Sequence, residues 1–223
     1  KITAVIKNTG SAKMNIRMLK YSSQKPSTNY FQIGKQGLAD YFASKGDNKI
    51  RTVKPGEAIA IDEQLEKHIV KYDELVHGFY EFVIDQPGEI SIIQTDPKTP
   101  GAKAVHKIKN IIPTTHVNAG RGLFGVSNYL VKTEGTFDTK NGPAAIVVAD
   151  GVQDPWVLGI EGTSGEEAKL AGNYGVMYDI DMKWKSTDGK GLALVTWNSR
   201  SADNQWCGGM AASMVVSKGK FNE

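Results

Sequence analysis

Residues 174–185 alternate almost without exception. Tyr174, Val176, Tyr178, Ile180, Met182 and Trp184 are apolar or aromatic, Gly175, Asp179, Asp181, Lys183 and Lys185 fall between them, and only Met177 breaks the pattern. Successive side chains of an extended backbone point to opposite sides, so a period of two predicts a strand with one dry and one wet face. A helix would scatter the same apolar groups right round its axis and bury none of its faces. Such a strand spans about 35 to 40 Å at roughly 3.3 Å per residue, enough to set the dimension of a sheet.

The same reasoning organises the rest of the chain. Residues 1–7 and 12–19, the latter with Ala12, Met14, Ile16 and Met18 on one face, flank Asn8, Thr9, Gly10 and Ser11, which predicts an opening β-hairpin. Residues 22–29 are polar and contain Pro26, a loop pattern. Leu38, Tyr41 and Phe42 have helical spacing with Gly46 just beyond, predicting a short helix over 36–45. Two more hairpins are expected, 50–53 with 58–61 about Pro55-Gly56, and 76–85 with 90–94 about Pro87-Gly88. Residues 63–74 read as a short helix or an ordered loop.

Residues 96–103 carry Pro97, Pro100 and Gly101 with almost nothing apolar, the pattern of a boundary. The expected organisation is an N-terminal β-rich domain over 1–97, a linker or crossover over 98–106, and a C-terminal β-sandwich domain over 107–223. Strand-like runs in the second half fall at 106–116, 123–131, 144–149, 156–160, 174–185, 192–198 and 210–216. The predicted class is all-β, of antiparallel sandwich or jelly-roll type, in one or two units, with one or two short helices in the N-terminal half.

Composition narrows the functional classes. The 223 residues carry 27 Lys and Arg against 24 Asp and Glu, a net charge of +3 spread along the chain, where a nucleic-acid binder would gather its basic residues on one face. A lone cysteine, Cys207, permits neither an intrachain disulfide nor a cysteine zinc cluster, and it reads as a small buried residue. No run approaches the roughly 18 apolar residues of a membrane span. The chain opens on Lys1 and enters a strand pattern at once, as a fragment or matured product of a longer protein would, with other modules beside it.

Catalytic constellations are missing from the text. There is no nucleophile elbow, zincin helix, phosphate-binding loop or dinucleotide fingerprint. His68, His77, His106 and His116 are not at ligand spacing, and read as structural or exposed. Asp179 and Asp181 have the separation that a glycosidase uses, but Lys183 and Lys185 continue the row, which marks a solvated face. Asp138, Asn141, Asp150 and Asp154 are spaced through loops as oxygen ligands of a structural calcium would be, and equally as plain turn formers. No other cofactor is implied.

The remaining candidates are aromatic residues beside polar loops. Residues 198–206 gather Arg200, Asp203, Asn204, Gln205 and Trp206, with Trp197 and Asn198 beside them. Rings stack on the apolar face of a sugar while amides, carboxylates and Arg reach its hydroxyls, and an ordinary loop with one folded-in Trp has the same composition. Trp156, following Asp154-Pro155, and Tyr129 with Asn128 are the second choices, whereas Trp184 belongs to the dry face and reads as core.

The stretches LFGVSNYLVKTEGTFD, VVADGVQDPWVLGIEG and GNYGVMYDIDMKW resemble segments of secreted, multimodular proteins of Gram-positive bacilli, in which such β-rich regions accompany wall-binding or carbohydrate-active modules. The resemblance implies an extracellular or cell-surface address and a non-catalytic accessory role, and it carries over no site residue. The expected partner is a polysaccharide or cell-wall glycan, to which the basic balance adds weak attraction if it is acidic. A structural or adhesive domain without glycan binding is the first alternative; a glycoside hydrolase or polysaccharide lyase is the second.

Overall fold

The computed structural model describes residues 1–47, 49–113 and 121–196. These are rich in β-strand with a few short helices, and they divide into two compact units, the first of residues 1–109 with Thr196 and the second of residues 110–195. In the first unit, β1 (Ile2–Asn8), β2 (Met14–Ser27), the helix α1 (Tyr30–Ala43), β3 (Ile50–Val53), β4 (Ala58–Ala60), the one-turn helix α2 (Glu63–Glu66), β5 (Leu75–Ile84), β6 (Gly88–Gln94) and a further one-turn helix α3 (Gly101–Ala104) follow in order.

The strands form two antiparallel sheets, in orders β4-β1-β6 and β3-β2-β5. All three expected hairpins are corrected by this order. β1 and β2, β3 and β4, and β5 and β6 are each linked by a turn, yet the members of each pair lie in different sheets. Turn residues report a reversal of the chain; where it goes next is decided by burial. Ala4 and Ile6 of β1, Met14, Ile16 and Met18 of β2, Val53 of β3 and Ile61 share one buried cluster, against which Tyr80 and Phe82 of β5 pack. At each turn, then, the chain passes from one sheet to the other.

Asn8, fully buried, ties the first two of these passages together, and its neighbour Thr9 reaches the third. Its Nδ2 donates to the carbonyls of Ala12 (2.8 Å) and Val53 (2.9 Å), and its Oδ1 accepts from the Gly10 N–H (2.8 Å). Its backbone N–H donates to Glu57 O, its carbonyl accepts from Gly56 N, and Thr9 N donates to Pro87 O. A primary amide supplies two donors and an acceptor together, which neither Asp nor Leu could do here.

The outer face of β1 is covered as well. Val5, Ile93 and Ala104 form a second buried cluster, so the stretch over 98–106 contributes α3 to the first unit. Gly101 lies where a Cβ would come 2.8 Å from Thr3, and its N–H donates to Glu66 Oε1 (2.6 Å). β2 runs on to Ser27 through the residues expected as a loop, because β5 pairs with it as far as Leu75. α1 starts six residues before the expected 36, where the Asn29 side chain caps it by accepting from Gln32 N (3.2 Å).

The second unit contains β7 (Leu123–Phe124), β8 (Asn128–Asp138), β9 (Leu158–Ile160), β10 (Glu167–Lys169) and β11 (Met177–Lys185). β10, β9 and β7 make a small antiparallel sheet, while β8 and β11 form a ribbon. That ribbon is parallel, Tyr178 opposite Tyr129 and Trp184 opposite Phe137, which corrects the expectation of antiparallel pairing for the longest alternating run.

Asp179, Asp181, Lys183 and Lys185 are exposed as the alternation predicts. The other face is not dry. Ile180 and Trp184 are 43% and 48% exposed, so Trp184 is not a core residue among the described positions; one partner strand leaves a ribbon too little to bury against. Residues 144–149, 108–113 and 192–196 are not strands, since a short apolar run favours burial or extension without naming a pairing partner. Residues 197–223, including the strand expected over 210–216, lie outside the described residues.

Candidate functional site

Parallel pairing sets Tyr129, near the start of β8, beside Tyr178, near the start of β11. Their rings meet edge to face, 5.5 Å apart at 88°. Around this pair the loop over 149–156 closes on itself. Asp150 Oδ1 accepts from the N–H groups of Val152, Gln153 and Asp154 (3.0, 2.9 and 2.9 Å), which holds its carboxyl below the usual range, the Asp154 N–H foremost. Ala149 is left-handed at φ 56°, and its N–H donates to Asp154 Oδ2 (2.6 Å). The Trp156 indole N–H donates to Ala149 O (3.0 Å), and the ring lies so near Gly151 that a Cβ there would meet it at 2.8 Å.

Asp154 joins loop and ribbon. Its Oδ2 also accepts from the Tyr178 hydroxyl (2.5 Å), which in turn accepts from Asn173 Nδ2 (2.6 Å). Burial, then the Asp154 hydrogen bond, pushes the Tyr178 phenol up to about 12. Asn173 is itself buried and left-handed at φ 47°, and its Oδ1 accepts from Val157 N (2.7 Å). The result is one connected network, Trp156 to Ala149 to Asp154 to Tyr178 to Asn173 to Val157, carrying half-buried rings with Val152 exposed at the loop tip.

This arrangement offers ring faces and a loop closed by its own hydrogen bonds. The Asp154 carboxylate and the indole N–H are already engaged within the loop and ribbon, and the described histidines, His68, His77 and His106, all belong to the first unit. Asp179 and Asp181 stand on the exposed side of β11 in line with Lys183 and Lys185. Among the described residues no group of three or more His, Cys, Asp or Glu side chains is placed to hold a metal ion.

The four calcium candidates form turns. Asp150 and Asp154 shape the loop just described. Asp138, at the far end of β8, accepts from the Thr187 hydroxyl (2.8 and 2.9 Å) and from Thr187 and Lys140 N–H groups, with the Lys185 ammonium at 3.7 Å; Asn141 ends the following 3-10 turn. Burial, the largest single influence, raises the Asp138 carboxyl, but the Thr187 hydroxyl, the Lys140 and Thr187 N–H groups and the Lys140 charge together outweigh it and leave it below the usual range.

Of the residues expected to bind, Trp156 and Tyr129 fall in this cluster, joined by Asn128 as the first residue of β8. Arg200, Asp203, Asn204, Gln205 and Trp206 lie outside the described residues. Sequence reasoning missed Tyr178, assigned to a dry face, and Asn173, whose signal was available in the Gly172-Asn173 turn before the alternating run. It also missed the buried Glu161, which accepts from Thr163 N (2.9 Å), Ser164 N (2.8 Å) and Arg121 Nε (2.9 Å).

No family model matches this chain, and neither the curated proteins nor the solved structures contain a match to it. Among the described residues no helix is long and apolar enough to cross a membrane.

Proposed function

We propose that the chain is a non-catalytic, extracellular accessory module that binds polysaccharide by aromatic stacking, its first unit a β-sandwich made of the two sheets that share a core. The observation that carries the reading is the Tyr129–Tyr178 pair fixed beside the Trp156 loop, ring surfaces held in place before any ligand arrives. Preorganisation of this kind lowers the ordering cost of binding. The loop over 198–206 is proposed as a binding loop of its own, Trp206 as a stacking ring and Arg200, Asn204, Gln205 and Asp203 as hydroxyl-binding groups, and an acidic glycan would gain from the basic balance.

A purely structural module is the second reading. It is favoured by the same network seen from inside, since Asp154, the Tyr178 hydroxyl, Asn173 and the Trp156 N–H all bond to one another or to backbone. Affinity electrophoresis through a panel of neutral and acidic polysaccharides separates the two. Retardation by at least one glycan, weakened by Tyr129→Ala and by Trp206→Ala with the fold intact, is expected. Folded protein that no glycan retards hands the case to the structural module.

A further inference from the structure

Four strands bound the two sheets of the first unit among the described residues, and three of them are poor templates for a further strand. β4 has 3 residues, β3 has 4 and carries Arg51, and β5 pairs with β2 through shifts of register. Short, charged or irregular edges resist edge-to-edge pairing. β6 is neither short nor irregular, and it carries a single charge, Glu89. Its 7 residues, GEISIIQ, contain no Pro and no Lys, and its register with β1 runs unbroken from Ile2↔Gln94 to Asn8↔Gly88.

Its free side is also apolar. Thr95 N donates to Lys1 O (3.0 Å), so Thr95 faces β1, and by alternation the backbone groups of Gln94, Ile92 and Ile90 point away from it. Ile90 and Ile92 are 55% and 71% exposed. An outward row of backbone donors and acceptors thus coincides with two exposed β-branched side chains.

We propose that β6 is a self-association edge, which pairs antiparallel with β6 of a second copy about a two-fold axis at Ser91. The strand is complementary to itself in this register. Ile90 lies opposite Ile92 of the second copy and Gly88 opposite Gln94, each pair exchanging hydrogen bonds from its outward backbone groups. The four isoleucines gather on one face. Glu89, the sole charged residue of β6, lies opposite Ile93 and meets no like charge. Ser91 faces its own counterpart in a non-hydrogen-bonded pair, where Cα atoms stand about 4.5 Å apart, within disulfide reach.

The experiment uses the full chain in sedimentation equilibrium from micromolar to millimolar concentration, beside Ile92→Lys, and adds oxidative cross-linking of Ser91→Cys and Glu89→Cys, each in a Cys207→Ser background. The expected result is a concentration-dependent dimer whose Kd rises about tenfold or more in Ile92→Lys at unchanged far-ultraviolet circular dichroism, with covalent dimer from Ser91→Cys and little from Glu89→Cys. Should Ile92→Lys fail to fold, the cross-linking pair decides alone. A chain monomeric at every concentration, or a dimer that cross-links no better at 91 than at 89, overturns the proposal.

Discussion

The two units hold their shape by different means. Of the buried hydrophobic residues among those described, Ala4, Val5, Ile6, Met14, Ile16, Met18, Ile33, Val53, Ala60, Ile61, Leu65, Ile93 and Ala104 belong to the first unit, and only Val157 and Ala168 to the second. Among the described residues of the second unit the buried polar Asp138, Glu161 and Asn173 outnumber the buried apolar ones. There, turns are pinned by carboxylates and an amide that collect backbone N–H groups; in the first unit the sheets are held by the apolar groups between and outside them. Burial makes a core indifferent to pH and intolerant of cavities, whereas carboxylate-held turns have the opposite sensitivities.

The largest expected effect tests the apolar side of that contrast. Ile16 is 1% exposed within the main cluster, so Ile16→Ala should cost the first unit about 2 to 5 kcal/mol, transfer and cavity contributions together. Ile160, in β9 of the second unit and 58% exposed, should cost about 0.5 kcal/mol or less on the same change. Urea unfolding read by peptide-resolved hydrogen exchange measures both in one protein. Equal costs would erase the distinction between the units.

The same contrast explains what could be read from the residues alone. Alternation found β1, the first half of β2, β5 and β11, because each carries apolar groups at every second position. It could not tell that consecutive strands part company, since Pro55-Gly56 and Pro87-Gly88 look alike in a hairpin and in a passage between sheets. The parallel partnership of β11 with β8 was equally invisible, because direction leaves no mark on alternation. In the candidate site, Trp156 and Tyr129 announced themselves as aromatics beside loop residues. Asp154, suspected of holding metal, proved to link the loop to Tyr178, and Asn173 is set by a left-handed backbone that its neighbour Gly172 only hints at.

A smaller effect tests the polar side. Glu161 accepts first from Ser164 N and also from Thr163, and against the opposing effect of burial its carboxyl falls from an ordinary 4.5 to about 2. A carboxyl held lower when folded binds fewer protons than when unfolded. Its stabilisation is therefore complete above 4.5 and is lost as the pH falls toward 2. Hydrogen exchange in peptides spanning 158–170 should quicken over that window, ahead of the β1 and β2 peptides. Glu161→Gln, which gives up the charge facing Arg121, should quicken it already at neutral pH and flatten the acid dependence. An acid profile unaltered by this change would mean that the turn is not held by the carboxylate.

The smallest effect tests whether the first unit is as indifferent to pH as its apolar core suggests, and above the range in which carboxylates such as Asp62 titrate His77 is the residue that would spoil it. Its imidazole is packed edge-on against Phe79 at 4.9 Å, and a Cβ on Gly37 of α1 would come within 2.2 Å of Nδ1, so helix and ring share the same space. Burial lowers its affinity for a proton below the ordinary 6.5. The unfolded chain then takes up the proton first, and stability should decline as the pH falls below 6.5 until the folded ring protonates too. This window lies above the one set by Glu161, so acid should reach the first unit slightly and early through His77, before protonation of Glu161 loosens the second. His77→Gln keeps a polar side chain that does not titrate between these limits. In that variant the urea midpoint of the β5 peptides should become level from neutrality to the onset of carboxylate protonation, and a slope that survives the substitution would place the early response on another group.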